Sequence, residues 1–311
     1  MMKRILKRII QLIFILLILS FLVFLLMYLA PGDAAEKRLT SQGVAVTREM
    51  LTAERERMGL LRPFFVRYGE WLFNVLRGDF GVSFKDDLPV APKLLAGLKN
   101  TAVLAAGSLF LALLFALPAG ILSAVRQDGI LDHLLRILSF VGNSMPNFLL
   151  SVLLMYAFCV RIRLFPIIAE GGIRGLVLPA LSLAIPMASR FIRQIRAEIL
   201  TELHADYVRG MRARGVKERY ILLRNVLRNA AGHIMTIIGL QVGTLMGGSV
   251  VVETIFRWPG IGKLVMDSIT ARDYPVIMGF VLVMGTIYVI INLLTDTVYH
   301  LLDPRTRGEG V

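Results

Sequence analysis

The sequence predicts an all-α polytopic membrane protein, with six transmembrane helices and a small extracytoplasmic domain between the first and the second. Three observations predict it. The 311-residue chain is 56% hydrophobic and only 18% charged, with a mean hydropathy of +0.69, whereas soluble domains are about half apolar and about a quarter charged. The apolar residues gather into runs of the length that a bilayer core demands, roughly 20 helical residues. The charges gather between those runs and sum to a formal +13. In a soluble protein that balance would point to nucleic acid. In a membrane protein, lysine and arginine collect in cytoplasmic loops for topological reasons, so membrane lipid is the expected neighbour and no nucleic-acid partner is predicted. The single cysteine, Cys159, excludes an internal disulfide and a cysteine-based metal site. It reads as a small buried hydrophobe.

The first run covers residues 9–30 and follows Lys3, Arg4, Lys7 and Arg8. A cleaved signal peptide would have an apolar core of only about 7–15 residues. Residues 1–30 are therefore expected to be a cytoplasmic N-terminus and an uncleaved first span. Residues 31–99 form the extracytoplasmic domain. They mix polar and aromatic residues, as in RPFFVRYGEWLFNVLRGDFGVSF. EMLTAERERMGL predicts a short charged helix ended by Gly59, and the glycines of RGDFGVSF mark turns. So small a segment cannot build a large core alone and is expected to rest on the membrane bundle.

Residues 100–311 supply five further spans. The runs are 101–125, 134–160, 176–192, 234–252 and 276–302. The run 176–192 holds Pro179 and Pro186, seven residues and two turns apart, on one face. Proline is tolerated in membrane helices where neighbours satisfy the freed carbonyls. Short loops set the orientation. Arg126, Arg136, the cluster 204–229, Arg305 and Arg307 lie on the side of the N-terminus. Only Arg161, Arg163, Arg174, Arg257, Lys263 and Arg272 lie opposite. Both termini are expected in the cytoplasm.

The cluster HADYVRGMRARGVKERYILLRNVLRN interrupts this apolar sequence. Arg209, Arg212, Arg214, Lys217 and Arg219 alone would cost on the order of 12–17 kcal/mol at the bilayer centre, at roughly 2.5–3.5 kcal/mol each. The segment must lie outside lipid, yet its pattern is helical. Leu203, Tyr207, Gly210 and Met211 share one face, and Tyr220, Leu223, Leu227 and Ala230 another. Gly215 suits the left-handed residue after a helix end, and Arg212 and Arg214 complement the helix dipole in the last turn. The reading is helix, tight glycine turn, helix. A solvated positive-inside loop and an anionic-lipid patch remain alternatives, although topology requires only charge and not a capped hairpin.

These residues resemble the EAA loop of inner-membrane permeases of ATP-binding cassette importers, in the branch that carries peptides, nickel, opines and related solutes, of the dipeptide/oligopeptide/nickel permease B type. Asp206, Tyr207, Val208, Arg209, Arg212, Ala213, Arg214, Gly215 and residues 227–230 (LRNA) carry the match. PGD at 31–33, RYGEWL at 67–72, GDFGVSF at 78–84, SMPNF at 144–148, LFP at 164–166 and GGSVVVETIFRWPGIGKLVMDSITARDYPV at 247–276 extend it over nearly the whole chain. The chain departs from the pattern at Arg209, where the broader family has an acidic residue, and at His233, where the branch often has proline.

The resemblance implies a permease subunit that forms the translocation path for di- or oligopeptides in a prokaryotic inner membrane, with nickel or a metal–chelator complex as the alternative cargo. It implies a second homologous permease, two cytoplasmic ATPase subunits and an extracytoplasmic solute-binding protein as partners. The EAA-type loop, at about 194–230, would couple the permease to the ATPase by helix-in-groove docking. Asp206, Tyr207, Arg209, Arg212, Ala213, Arg214, Gly215, Val216, Arg228 and Asn229 are its expected residues, with the grip at Ala213, Gly215 and Val216. ATP and Mg²⁺ would bind the partner ATPases, and no cofactor or metal is expected on this chain. The sequence has no G-x-x-x-x-G-K-[ST] phosphate loop; GIGKL at 260–264 lacks the spacing and the hydroxyl.

No catalytic residues are expected. Gly142, Asn143, Ser144 and Met145 do not make a rhomboid-type serine turn, and His133, His204, His233 and His300 form no constellation. A channel or receptor without an ATPase is the distant alternative. Asn143, Asn147, Gln241, Glu253 and Trp258 are candidates for the translocation path or gate. For Asn143, Asn147 and Gln241, helix-to-helix hydrogen bonding is an equal reading. For Glu253, the alternatives are a path residue or a carboxylate that snorkels to the interface or pairs with Arg257. Met235, Met246 and Met284 read as packing.

Overall fold

The computed structural model describes residues 2–43, 46–169 and 172–302. Arg305, Arg307 and the C-terminus lie outside the described residues, as do the side chains of Lys3, Arg4, Lys7, Arg8, Met246 and His300. In chain order the helices are α1 (Met2–Leu29), α2 (Ala34–Ser41), α3 (Arg48–Arg57), α4 (Phe64–Leu76), α5 (Val90–Val125), α6 (Ile130–Ser144), α7 (Asn147–Met155), α8 (Ile173–Leu203), α9 (Asp206–Ala213), α10 (Glu218–Tyr220), α11 (Leu227–Phe256), α12 (Ile261–Ala271) and α13 (Tyr274–Leu302). Two π-helical stretches, Tyr156–Arg161 and Ile221–Val226, continue α7 and α10. Among the described residues the only other pairing is an isolated antiparallel bridge between Val82 and Pro89.

Helices α1, α5, α8 and α13 each hold a stretch long and apolar enough to cross a membrane, and α6 with α7 makes a fifth if the bent pair is one span. The predicted run 234–252 lies within the continuous helix α11. The run 134–160, expected to be one span, is not one continuous helix. It breaks at Met145–Pro146, and the two halves are bent by 98°. Pro146 has no N–H to donate, and its ring drives the preceding residue out of the helical region. Met145 is accordingly extended, at φ −82° and ψ 125°.

The chain divides into two compact units, Met1–Asn100 with Pro259–Ile290, and Thr101–Trp258 with Ile291–Val311. In the first, Phe21, Phe24 and Tyr28 of α1 meet Phe64 and Tyr68 of α4 edge to face, the geometry that ring quadrupoles favour. Residues 31–99 contribute to a core rather than closing one alone. Val90 and Leu94 are buried together with Ile261 and Val276, with Phe80 and Phe280 packed around them. The GDFGVSF and DYPV motifs meet at the buried Asp273, whose carboxylate accepts from the Ser83 hydroxyl and, at 2.8 Å, from the Phe84 N–H. The charged helix expected before Gly59 is α3.

In the second unit α8 is the central element and packs against α6, α7 and α11. Pro179 and Pro186 are both buried within it. The Ser182 and Ser189 hydroxyls bond back to the Leu178 and Ile185 carbonyls. Gly142 lets α6 approach closely, since a Cβ there would lie 2.3 Å from the Ser189 hydroxyl oxygen. Cys159 is buried, as its sequence context predicts.

Candidate functional site

The segment after α8 folds as a hairpin. The chain bends at Ala205 (φ −65°, ψ 149°) and enters α9, with Asp206 in its first turn, where the dipole favours an anion. Helix α9 ends in a complete Schellman motif, the closure in which the left-handed residue and the one after it both bond back to helix carbonyls. Gly215 has φ +76°. Its N–H donates to the Arg212 carbonyl at 2.9 Å, and the Val216 N–H to the Met211 carbonyl at 3.1 Å. The closure needs a left-handed residue, which glycine adopts without the penalty of a Cβ. A Cβ at Gly215 would meet nothing within 4 Å, so backbone conformation and not crowding selects the residue.

Arg212 spans the turn and binds Glu218 through two hydrogen bonds, at 2.6 and 3.2 Å. These bonds hold the Glu218 carboxyl below its usual range and the Arg212 guanidinium above its own. At the base of the hairpin, Glu202 accepts from the Tyr207 hydroxyl at 2.5 Å and from Asn229 Nδ2 at 3.4 Å, tying α8, α9 and α11 together. Burial first, and then the Glu202 contact, push the Tyr207 phenol up to about 12.

The hairpin buries Ile199, Val208, Ile221, Val226 and Ala230 completely. The first predicted face is half-buried around Val208. The second is displaced, because Tyr220 and Leu223 are 49% and 55% exposed. The cause is the π-helical stretch Ile221–Val226. An i→i+5 turn adds a residue, so burial runs 221, 226, 230 instead of keeping the ordinary helical phase. Ala213, Arg214, Gly215 and Arg228 are exposed, and Val216 is half-buried. Arg209 projects outward, 3.5 Å from Asp206, and His233 Nδ1 lies 2.8 Å from Glu198.

Sequence reasoning missed the brace that holds α8. Asp132 of α6 is fully buried. Its carboxylate accepts from Arg196 Nε and Nη2 at 2.7 and 2.8 Å, from the Ser123 hydroxyl at 2.5 Å and from the Asp128 N–H at 3.0 Å. Glu202 and Glu218 were also missed. Each is an ordinary helix acid until the chain closes, and a run of E-x-x-x-x-Y (Glu202, Tyr207) was the one local signal.

The path candidates occupy separate places. Asn143 and Asn147, both half-buried, flank the break between α6 and α7, and Gln241 is half-buried in α11. Glu253 and Trp258 come together at the end of α11. Glu253 is fully buried and accepts from the Thr101 hydroxyl at 2.7 Å, so it does not snorkel. The Trp258 N–H donates to the Glu253 carbonyl at 2.9 Å, and Arg257 between them is left-handed at φ +55°.

Residues 116–308 match the family model described as binding-protein-dependent transport system inner membrane component. Residues 1–105 match the N-terminal model of the same group. A protein of Brucella suis biovar 1 named as a peptide permease is 37% identical over 306 residues, covering 94% of this chain and 95% of that protein. The glutathione transport system permease protein of Salmonella typhimurium is 38% identical over 307 residues, 99% of each chain. The solved MetNI methionine ABC transporter in inward-facing form matches 68% of this chain and 96% of its own chain at 20% identity, with a TM-score of 0.57; at that identity the likeness shows the fold.

Proposed function

The chain belongs to the inner-membrane component family of binding-protein-dependent transport systems, as a permease of the ABC importer type, and on that premise we propose that it forms the translocation path for di- or oligopeptides. The peptide and glutathione names of its relatives support this cargo class. The protein itself is a multi-pass membrane permease and not the ATPase. In the proposed assembly it pairs with a second, homologous permease, two ATPase subunits that bind ATP and Mg²⁺, and an extracytoplasmic solute-binding protein. It crosses the membrane six times, with α6 and α7 as one broken span and α11 as another. Both termini and the hairpin are cytoplasmic, and residues 31–99 are extracytoplasmic.

One observation carries the coupling role: a hairpin fully closed by Gly215, braced at its base, with an exposed turn. A loop whose only task was to carry topological charge would need no such closure. The exposed surface from Ala213 to Val216 docks into a groove of the ATPase, and closure of two ATPases moves the hairpins and rocks the bundles between inward- and outward-facing states. Glu253 and Trp258 belong to the gate, and Asn143, Asn147 and Gln241 to the path.

The test is Gly215→Val in the assembled transporter. A β-branched residue resists φ +76°, so the turn distorts. We expect the protein to reach the membrane at normal levels, while peptide uptake falls at least about tenfold and ATP hydrolysis no longer responds to peptide-loaded binding protein. A tenfold loss corresponds to about 1.4 kcal/mol of coupling. Gly215→Asn, which tolerates the left-handed region, retains most transport. Normal uptake by the valine variant contradicts the coupling role.

A further inference from the structure

We propose that the groove between α6 and α8 is a binding site for one anionic phospholipid, held by its headgroup phosphate. The inference rests on the membrane placement of this chain and not on its transport role. The groove encloses about 610 Å³ and is lined by His133, Arg136, Ile137, Phe140, Arg193 and Arg196. The α6 residues fall at i, i+3, i+4 and i+7, and the α8 residues at i and i+3, so each helix contributes one face.

Chemistry changes along the groove. His133 and Arg136 come first on α6. Ile137 and Phe140 follow, 61% and 67% exposed, with the exposed apolar side chains of Leu138 and Val141 beside them in the sequence. At 1.5 Å per residue the change is complete within about 10 Å. A free phosphate would use only the cationic end. A phospholipid has the same order of charge and hydrocarbon as the groove.

The cations are available. Arg196 commits Nε and Nη2 to Asp132, which fixes the guanidinium and leaves Nη1. Arg136 lies 3.7 Å from the same carboxylate, which is itself buried and already accepts from Ser123 and Asp128. Arg193 makes no hydrogen bond or ion pair among the described residues. His133 Nδ1 bonds the Gly129 carbonyl at 3.0 Å, which leaves Nε2 to the groove. Two guanidinium groups, Arg136 and Arg196, thus share one saturated carboxylate, and the third, Arg193, has none among the described residues. Basic pockets between membrane helices hold anionic headgroups on this principle.

The experiment places the photoreactive residue benzoylphenylalanine at Ile137 of the full chain, in membranes containing phosphatidylethanolamine and phosphatidylglycerol, and identifies adducts by mass after irradiation. The expected adduct is phosphatidylglycerol, enriched over its share of the membrane at least about fivefold, the worth of one surface cation. Arg136→Gln with Arg193→Gln should return labelling to the membrane share, Arg136→Lys with Arg193→Lys should keep part of the enrichment, and Arg126→Gln, a cation outside the groove, should leave it unchanged. Labelling in proportion to membrane composition overturns the proposal. So does enrichment that survives the double glutamine variant, an adduct to another protein subunit, or loss of the enrichment on adding inorganic phosphate.

Discussion

The helical rod that runs from Glu218 through α11 to Phe256 has two ends, and a left-handed residue lies close to each. At the entering end that residue is Gly215, with open space around it and its ion pair, Arg212 with Glu218, at the surface. At the leaving end it is Arg257, followed by the buried Trp258 and preceded by the buried Glu253. The left-handed conformation costs an ordinary residue about 1–2 kcal/mol, so the leaving end carries strain that the burial of its neighbours offsets. The difference teaches where contact with another molecule is expected. The entering end is unstrained and accessible, as a docking element requires. The leaving end is fixed by interior contacts, as a gate or hinge requires.

Substitutions can break or sharpen that contrast. The largest effect belongs to the brace that holds α8, the helix that leads into the hairpin. Asp132→Ala strands Arg196 in a site built for its partner, and loss of one member of a buried pair costs about 3–5 kcal/mol. A clear drop in thermal stability in detergent is expected, with recovery on adding Arg196→Met; an unchanged melting temperature contradicts the brace. Next is Glu253→Ala at the leaving end. Removing the acceptor of the buried Thr101 hydroxyl costs about 1–3 kcal/mol, and the same variant should impair transport while leaving assembly with the ATPase intact.

Smaller effects come from the caps. Arg257→Gly relieves the left-handed strain and should stabilise by up to about 1 kcal/mol, whereas Gly215→Arg should destabilise by a similar amount. Equal signs for the two would remove the contrast. The smallest effect belongs to Glu218→Gln, at about 0.5 kcal/mol for an exposed pair. Arg212 depresses the Glu218 carboxyl. Its contribution is therefore full above the unfolded value, roughly pH 4.3, and is lost as the pH falls through the depressed folded value. The stability difference between wild type and variant should shrink below about pH 4; a difference that grows on acidification contradicts the pairing.

Most of the helical plan was legible because span length and apolar runs are local properties. Gly215 was legible for the same reason, since a glycine after a cationic helix end has one common use. Three features were not. The break at Pro146 was hidden because apolar sequence continues on both sides of it. The π-helical stretch after Tyr220 leaves no mark in composition, and it moved the buried stripe from Tyr220 and Leu223 to Ile221 and Val226. The pairing of Asp132 with Arg196 joins residues 64 positions apart, which no periodicity reports. Glu253 was singled out as an ionisable group at a span end, but its partner Thr101 lies 152 residues away.

The central claim is that the exposed turn at Gly215 is the surface an ATPase grips. A photoreactive residue at Ala213, in the assembled transporter, tests it most directly. We predict that irradiation joins this chain to the ATPase subunit, and that the yield changes between nucleotide-free and ATP-bound states. Adducts to lipid alone, or none in any nucleotide state, would contradict the account.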